Sequence, residues 1–257
     1  MKKMIIGMIG LFASGLIVNA DILTNTTISS QVDVVSSFVS RGRVFQDNCV
    51  LQPNITVNKQ IGNTSIFVND WENINSDRKH GNIFNETDLT IGGSTIGNGN
   101  GLTYTYGLIN YIYSDMLIKA PVVVEDTREL YLGIATTYFG INPYATVYYD
   151  CEQVNGGYVV FGINHCFCLD KKSSLIVDTS IGFGSETYNE FYFGIKENNA
   201  NDWSSGLMYN YSITSKAILS AGVRYSYIID DEFRNNAEES YDGGNILIEK
   251  VSFIYNF

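Results

Sequence analysis

Beyond its first twenty residues the sequence has no apolar run near the roughly eighteen residues of a membrane-spanning helix, which excludes an α-helical membrane protein. It is also short of bases, with 16 Lys and Arg against 27 Asp and Glu. That balance excludes a nucleic-acid partner, whose phosphates demand a basic surface. Only two histidines are present, His80 and His165, which leaves little material for acid–base or metal chemistry. Three prolines in 257 residues and a near absence of helical periodicity argue against helix-rich folds and leave long extended segments uninterrupted.

What is present fits one kind of exported protein. Residues 1–20 carry Lys2 and Lys3, an apolar run over 4–18 and the small-residue end Val18-Asn19-Ala20, the pattern of a secretory signal cut before Asp21. Losing Lys2 and Lys3 takes the net charge from -11 to about -13. The 18 Tyr, 14 Phe and 24 Gly go with a mean hydropathy of -0.01, the middle value expected when each strand has one apolar and one polar face.

The last stretch, V-S-F-I-Y-N-F, puts Val251, Phe253, Tyr255 and Phe257 on one parity and Ser252 and Asn256 on the other. A soluble domain rarely ends on an exposed Phe, whereas the strand closing a membrane barrel places such residues in lipid. The same alternation predicts twelve strands, over 28–40, 49–59, 63–72, 84–92, 101–113, 127–139, 142–150, 157–169, 173–183, 203–213, 216–228 and 245–257. Short turns alternate with long polar loops, as when one side of a membrane carries turns and the other loops. The expected fold is therefore all-β, a transmembrane antiparallel up-and-down barrel over 21–257 with both termini periplasmic in the bacterial outer membrane. The run 189–197, N-E-F-Y-F-G-I-K-E, also alternates, and a thirteenth wall strand would put the C-terminus outside, so it is placed in the fifth outer loop as a rim hairpin.

Six segments in order carry a resemblance: Phe38-Val39-Ser40-Arg41-Gly42, Leu51-Gln52-Pro53, Val68-Asn69-Asp70-Trp71, Asn85-Glu86-Thr87-Asp88-Leu89, Gly107 to Tyr113 and Arg128 to Gly133. Together they resemble the TorF, or Gcw_chp, family of bacterial porin-like proteins, with its V-S-x-x-x-x-R-G start, E-x-D-x-x-x-G strand and G-x-x-x-Y-x-Y strand. The resemblance spans about 28–257 and implies an outer-membrane barrel. It brings no catalytic residues. The chain departs from the pattern in its cysteines and in the acidic sixth loop.

If apolar positions face lipid, then Asp33, Glu86, Asp88, Glu129 and Asp178 face the lumen with Arg224 and Lys250, and Arg41 continues the inward parity of the first strand. The opposite assignment is costly, since a midplane Arg or Lys in lipid costs about 2 to 4 kcal/mol. Arg41, Glu86, Asp88, Glu129, Asp178 and Arg224 are the candidate selectivity residues of a channel for ions or small polar solutes, with an acidic lean toward cations. The same charges, paired across the lumen, would instead make a plug. Arg41, beside Gly42, either pairs with Asp88 or Glu86 at a constriction or snorkels at the rim, and Trp71 and Trp203 are expected in the interfacial aromatic belt.

Other classes have less behind them. An outer-membrane lipid-directed enzyme needs a His beside a Ser or Thr, and the H-x-S-N-G signature of the twelve-stranded phospholipase is absent. An adhesin or structural barrel would act through the Asn- and Asp-rich loops, which lack a D-x-D-x-D-G calcium signature. Cys49 and Cys151 both fall near the outer rim, so a bridge between them is open, although they belong to strands well apart in order. In H-C-F-C, His165 points away from Cys166 and Cys168, so no metal site is expected. No cofactor is expected either. The expected partners are outer-membrane lipid, the barrel assembly machinery acting on the strand that ends in Phe257, and small polar solutes or cations.

Overall fold

The computed structural model describes residues 24–75, 84–99, 101–113 and 125–257. Among them the strands are β1 (Thr26–Val35), β2 (Phe38–Ser40), β3 (Arg43–Gln46), β4 (Val50–Ile61), β5 (Thr64–Asn75), β6 (Phe84–Ile96) and β7 (Leu102–Tyr113). There follow β8 (Thr127–Thr136), β9 (Ile141–Asp150), β10 (Gly157–Cys168), β11 (Ser173–Gly184), β12 (Asn199–Ser212), β13 (Ala217–Ile228) and β14 (Asn245–Asn256), with helices α1 (Glu186–Phe193) and α2 (Asp231–Ser240) in the loops before β12 and β14.

Twelve of the strands form one closed antiparallel barrel, in which each pairs with its neighbours in the chain and β14 pairs with β1, while β2 and β3 form a separate hairpin. Closure is made by the terminal aromatic strand. Val34 lies opposite Val251, Asp33 opposite Ser252, and the Phe257 N–H donates to the Ile28 carbonyl at 2.9 Å. Alternation sorts the faces as a membrane requires: Leu247, Val251 and Phe253 are exposed on the outside, while Ser252 and Ile248, of opposite parity, are buried inside. A closed ring leaves no unpaired edge in the apolar band.

The wall strands match the sequence expectation in number and order, and the differences are local. The segment 28–40 is not one strand. β1 stops at Val35, and Ser36 ties the departing chain to β14 by donating its N–H to the Glu249 carbonyl and accepting the Glu249 N–H at Oγ, both at 2.9 Å. Beyond it the chain dives inward as the β2–β3 hairpin. A period of two cannot distinguish a wall strand from a hairpin arm.

The run 189–197 is not a rim hairpin. It is largely α1, with Ser185 as N-cap accepting the Tyr188 N–H and Gly194 ending the helix at φ 70. α2 likewise begins on the Asp230 cap, whose carboxylate accepts the N–H groups of Glu232 and Phe233. β6 runs on to Ile96 through Gly93, over which the ring of Tyr106 packs so closely that a Cβ there would lie 2.8 Å from it.

The apolar core lies in the loop-side half of the barrel, where the hairpin and both helices meet. Phe38, Tyr188, Phe193, Ile228, Phe233 and Tyr241 are all buried in one cluster. The signal segment 1–20 and His80 lie outside the described residues.

Candidate functional site

The hairpin is built to reach into the lumen. Arg41 (φ 50) and Gly42 (φ 80) are its two central residues, and two positive φ values give the tight turn whose twist suits a two-residue hairpin. Holding a non-glycine residue there costs roughly 1 to 2 kcal/mol. Gly42 has a second reason to be glycine, because a Cβ would sit 2.7 Å from Asp202 Cβ on β12 and 2.9 Å from Ile228 on β13. The tip thus presses on the wall. Gly42→Val should undock it, adding the φ penalty to a clash with wall atoms, and the expected result is new trypsin cleavage after Arg41 or Arg43 while the barrel stays heat-modifiable in electrophoresis. A hairpin as protease-resistant as wild type would contradict this contact.

From that tip Arg41 crosses to the far wall. Its Nη1 and Nη2 donate to Glu129 Oε1 and Oε2 on β8 at 2.7 and 2.5 Å, a bidentate pair. The Tyr111 hydroxyl donates to Glu129 Oε2 at 2.8 Å, and the guanidinium lies 4.7 and 4.5 Å from the ring centres of Tyr148 and Tyr158. Arg43, one residue past the turn, packs 3.6 Å from the ring centre of Tyr192 and donates from Nη2 to the Tyr188 hydroxyl at 3.1 Å. The arms are held by Phe38 stacked on Phe45 at 5.3 Å, by Phe45 against Tyr241 and by backbone bonds from Val44 to Asp242 and Gly243.

Two further ion pairs line the lumen. Arg224 Nη2 lies 2.6 Å from Asp178 Oδ2, with Nη1 donating to Ser204 Oγ at 2.9 Å. Lys250 Nζ lies 2.6 Å from Asp33 Oδ2, and Gln31 donates to the same carboxylate. Glu86 and Asp88 share the inward face of β6, opposite Tyr113 and Tyr111, and neither has an ion-pair partner among the described residues. All six candidate selectivity residues therefore reach the lumen region, but the partner of Arg41 is Glu129 and not Glu86 or Asp88. Strand parity gives the face and not the reach of a chain that has left the wall.

Trp71 also departs from expectation. It faces inward, 5.8 Å from Phe38, so it anchors the hairpin and not the membrane belt. Trp203 is on the outer face, partly exposed, beside Tyr225. Among the described residues none of the four cysteines forms a disulfide. His165 Nδ1 lies 2.6 Å from the Gly140 carbonyl oxygen in a short turn, remote from the constriction. No group of three or more His, Cys, Asp or Glu among the described residues is placed to hold a metal. The Tyr148, Tyr158, Tyr188 and Tyr192 cluster around the two arginines was not legible beforehand, although S-R-G-R between two alternating runs was a turn signal.

Two adjacent spaces border the hairpin. One, of about 380 Å³, is bounded by Arg41, Tyr111, Tyr158, Asp202, Ser204 and Arg224 among others. The other, of about 220 Å³, shares Val39, Arg224 and Ile248 with it and extends to Gln52, Asp178 and Lys250.

The barrel can be set beside solved structures. An outer-membrane channel from Pseudomonas putida F1 is 9% identical, with a TM-score of 0.55 over 90% of this chain and 95% of that one. A KdgM porin in complex with disordered oligogalacturonate is 7% identical, with a TM-score of 0.51 over 90% and 99%. LpxR from Salmonella typhimurium, an enzyme on the same fold, is 9% identical, with a TM-score of 0.50 over 88% and 99%. The likeness is one of fold. It shows that this chain shares their β-barrel fold. No protein-family model and no curated protein matches the sequence, so the TorF resemblance stands on motif order alone.

Proposed function

We propose that the chain is an outer-membrane channel for passive diffusion of ions or small polar solutes, with the inward hairpin as its constriction. The observation that carries this reading is the pair of adjacent spaces, about 380 and 220 Å³, that border the hairpin and are lined by Arg224, Asp178 and Lys250. Paired charges on a pore wall keep it wet without trapping a passing ion, because each group is already largely neutralised. In this reading the short turns and both termini face the periplasm, the helices α1 and α2 face outward, and assembly into the membrane proceeds through the strand ending in Phe257. An enzymatic reading finds no support at His165, whose imidazole is bonded to a turn carbonyl with no serine or threonine partner among the described residues.

The test is planar-bilayer conductance of the refolded chain under a salt gradient. Discrete steps with a cation-biased reversal potential are the expected result. A heat-modifiable barrel that never conducts would mean that the hairpin is a permanent plug.

A further inference from the structure

The larger space beside the hairpin tip has a lining that says more about its occupant than a passage would need. Three charged side chains reach it: Arg41 is matched by both oxygens of Glu129 and Arg224 by Asp178, while Asp202 accepts the Tyr158 hydroxyl at 2.6 Å and has the Arg41 and Arg43 guanidinium charges as its electrostatic neighbours. An entering anion would gain Arg41 or Arg224 only by weakening an existing pair, a cation approaching Asp202 would meet the Arg41 and Arg43 charges, and either ion would be partly desolvated in the process. The space is therefore poorly suited to hold ions, although it can let them by.

What remains for an occupant is a mixture of hydroxyl and apolar surface. Ser180 and Ser204 stand 3.1 Å apart on neighbouring strands, Ser226 lies beside them, and Val39, Ile109, Val160 and Ile248 supply apolar patches between the polar groups. Carboxylate oxygens accept, guanidinium groups donate, and serine hydroxyls do either. Such an alternation of hydrogen-bonding atoms with C–H-binding surface is complementary to a ring that carries hydroxyls around its edge and C–H groups on its faces. At about 380 Å³ the space is at the small end of ligand pockets, which run from about 300 to 1,000 Å³.

We infer that this space is a weak binding site for a neutral polyhydroxylated solute, a sugar of one or two rings, which pauses there in transit. The inference rests on the channel reading and names its solute class. Weak binding is what a channel requires, since a tightly held solute blocks its own route.

The experiment is saturation-transfer NMR on the full chain refolded in lauryldimethylamine oxide, a detergent without a sugar headgroup. The probes are D-glucose, maltose, sodium gluconate and protonated glucosamine. Transfer to glucose or maltose is expected, with gluconate and glucosamine at least tenfold weaker. The Ser204→Ala, Ser226→Ala double variant should weaken sugar binding about tenfold, and Ser94→Ala on β6, distant from the space, should not change it. Charged probes binding as well as glucose, or no sugar transfer to a folded, heat-modifiable protein, overturns the inference. Conductance of the same preparation separates the two claims: conduction without sugar binding rejects this site alone, and sugar binding without conduction rejects the channel alone.

Discussion

Replacing Glu129 by Gln should release the hairpin and raise single-channel conductance. In the wild type the Arg41 guanidinium is enclosed by Tyr148, Tyr158 and Glu129, and Glu129 itself is 2% exposed. Removing one partner of a buried ion pair costs about 3 to 5 kcal/mol, because the remaining charge is left unmatched away from water. A wall strand would have to absorb that cost. The hairpin has another way to relieve it, since its backbone is continuous with the wall only at its two ends and it can carry Arg41 back to water. The free-energy change corresponds to a shift of roughly a hundredfold to several thousandfold in favour of the undocked arrangement.

Two readouts should move together. The mean conductance rises, and trypsin gains access to Arg41 and Arg43, which are shielded when the hairpin is docked. The exchange variant Arg41→Glu, Glu129→Arg should recover part of the closure, because the pair is restored with its ends reversed. Unchanged conductance together with an uncut hairpin in Glu129→Gln would show that the aromatic contacts of Phe38, Phe45 and Arg43 hold the hairpin without the ion pair.

The second large effect is on selectivity. Arg41, Arg224 and Lys250 each neutralise one lumen carboxylate, whereas Glu86 and Asp88 on β6 are hydrogen-bonded to each other and have no ion-pair partner among the described residues. The Glu86→Gln, Asp88→Asn double variant should therefore move the reversal potential under a KCl gradient toward zero while leaving the Arg41–Glu129 pair in place. Adding Glu129→Gln should carry it further in the same direction, because a third lumen carboxylate is then removed. Persistent cation preference in the triple variant would locate selectivity in the outer loops.

Much of this architecture was legible in the chain. The strand count and order, the inward face of Asp33, Glu129, Asp178 and Arg224, and the closure by the terminal strand all follow from a period of two and the cost of charge in lipid. The pairings Asp178–Arg224 and Asp33–Lys250 join wall strands that are neighbours or nearly so, and their shared parity was already evident. The helices α1 and α2 were missed because their aromatic residues satisfy alternation and helical spacing alike, and only the Ser185 and Asp230 caps decide between them.

The sequence by itself determined a membrane barrel of twelve strands with a polar interior, because lipid imposes the same rule on every residue of every strand and that rule repeats along the chain. The tertiary structure alone decided what occupies that interior. Whether Arg41 ends a wall strand or turns back across the lumen depends on contacts with Glu129, Asp202 and Ile228, which are far away in sequence and brought near only by closure of the ring. Local periodicity carries no information about such contacts, since their energy exists only once the barrel has formed.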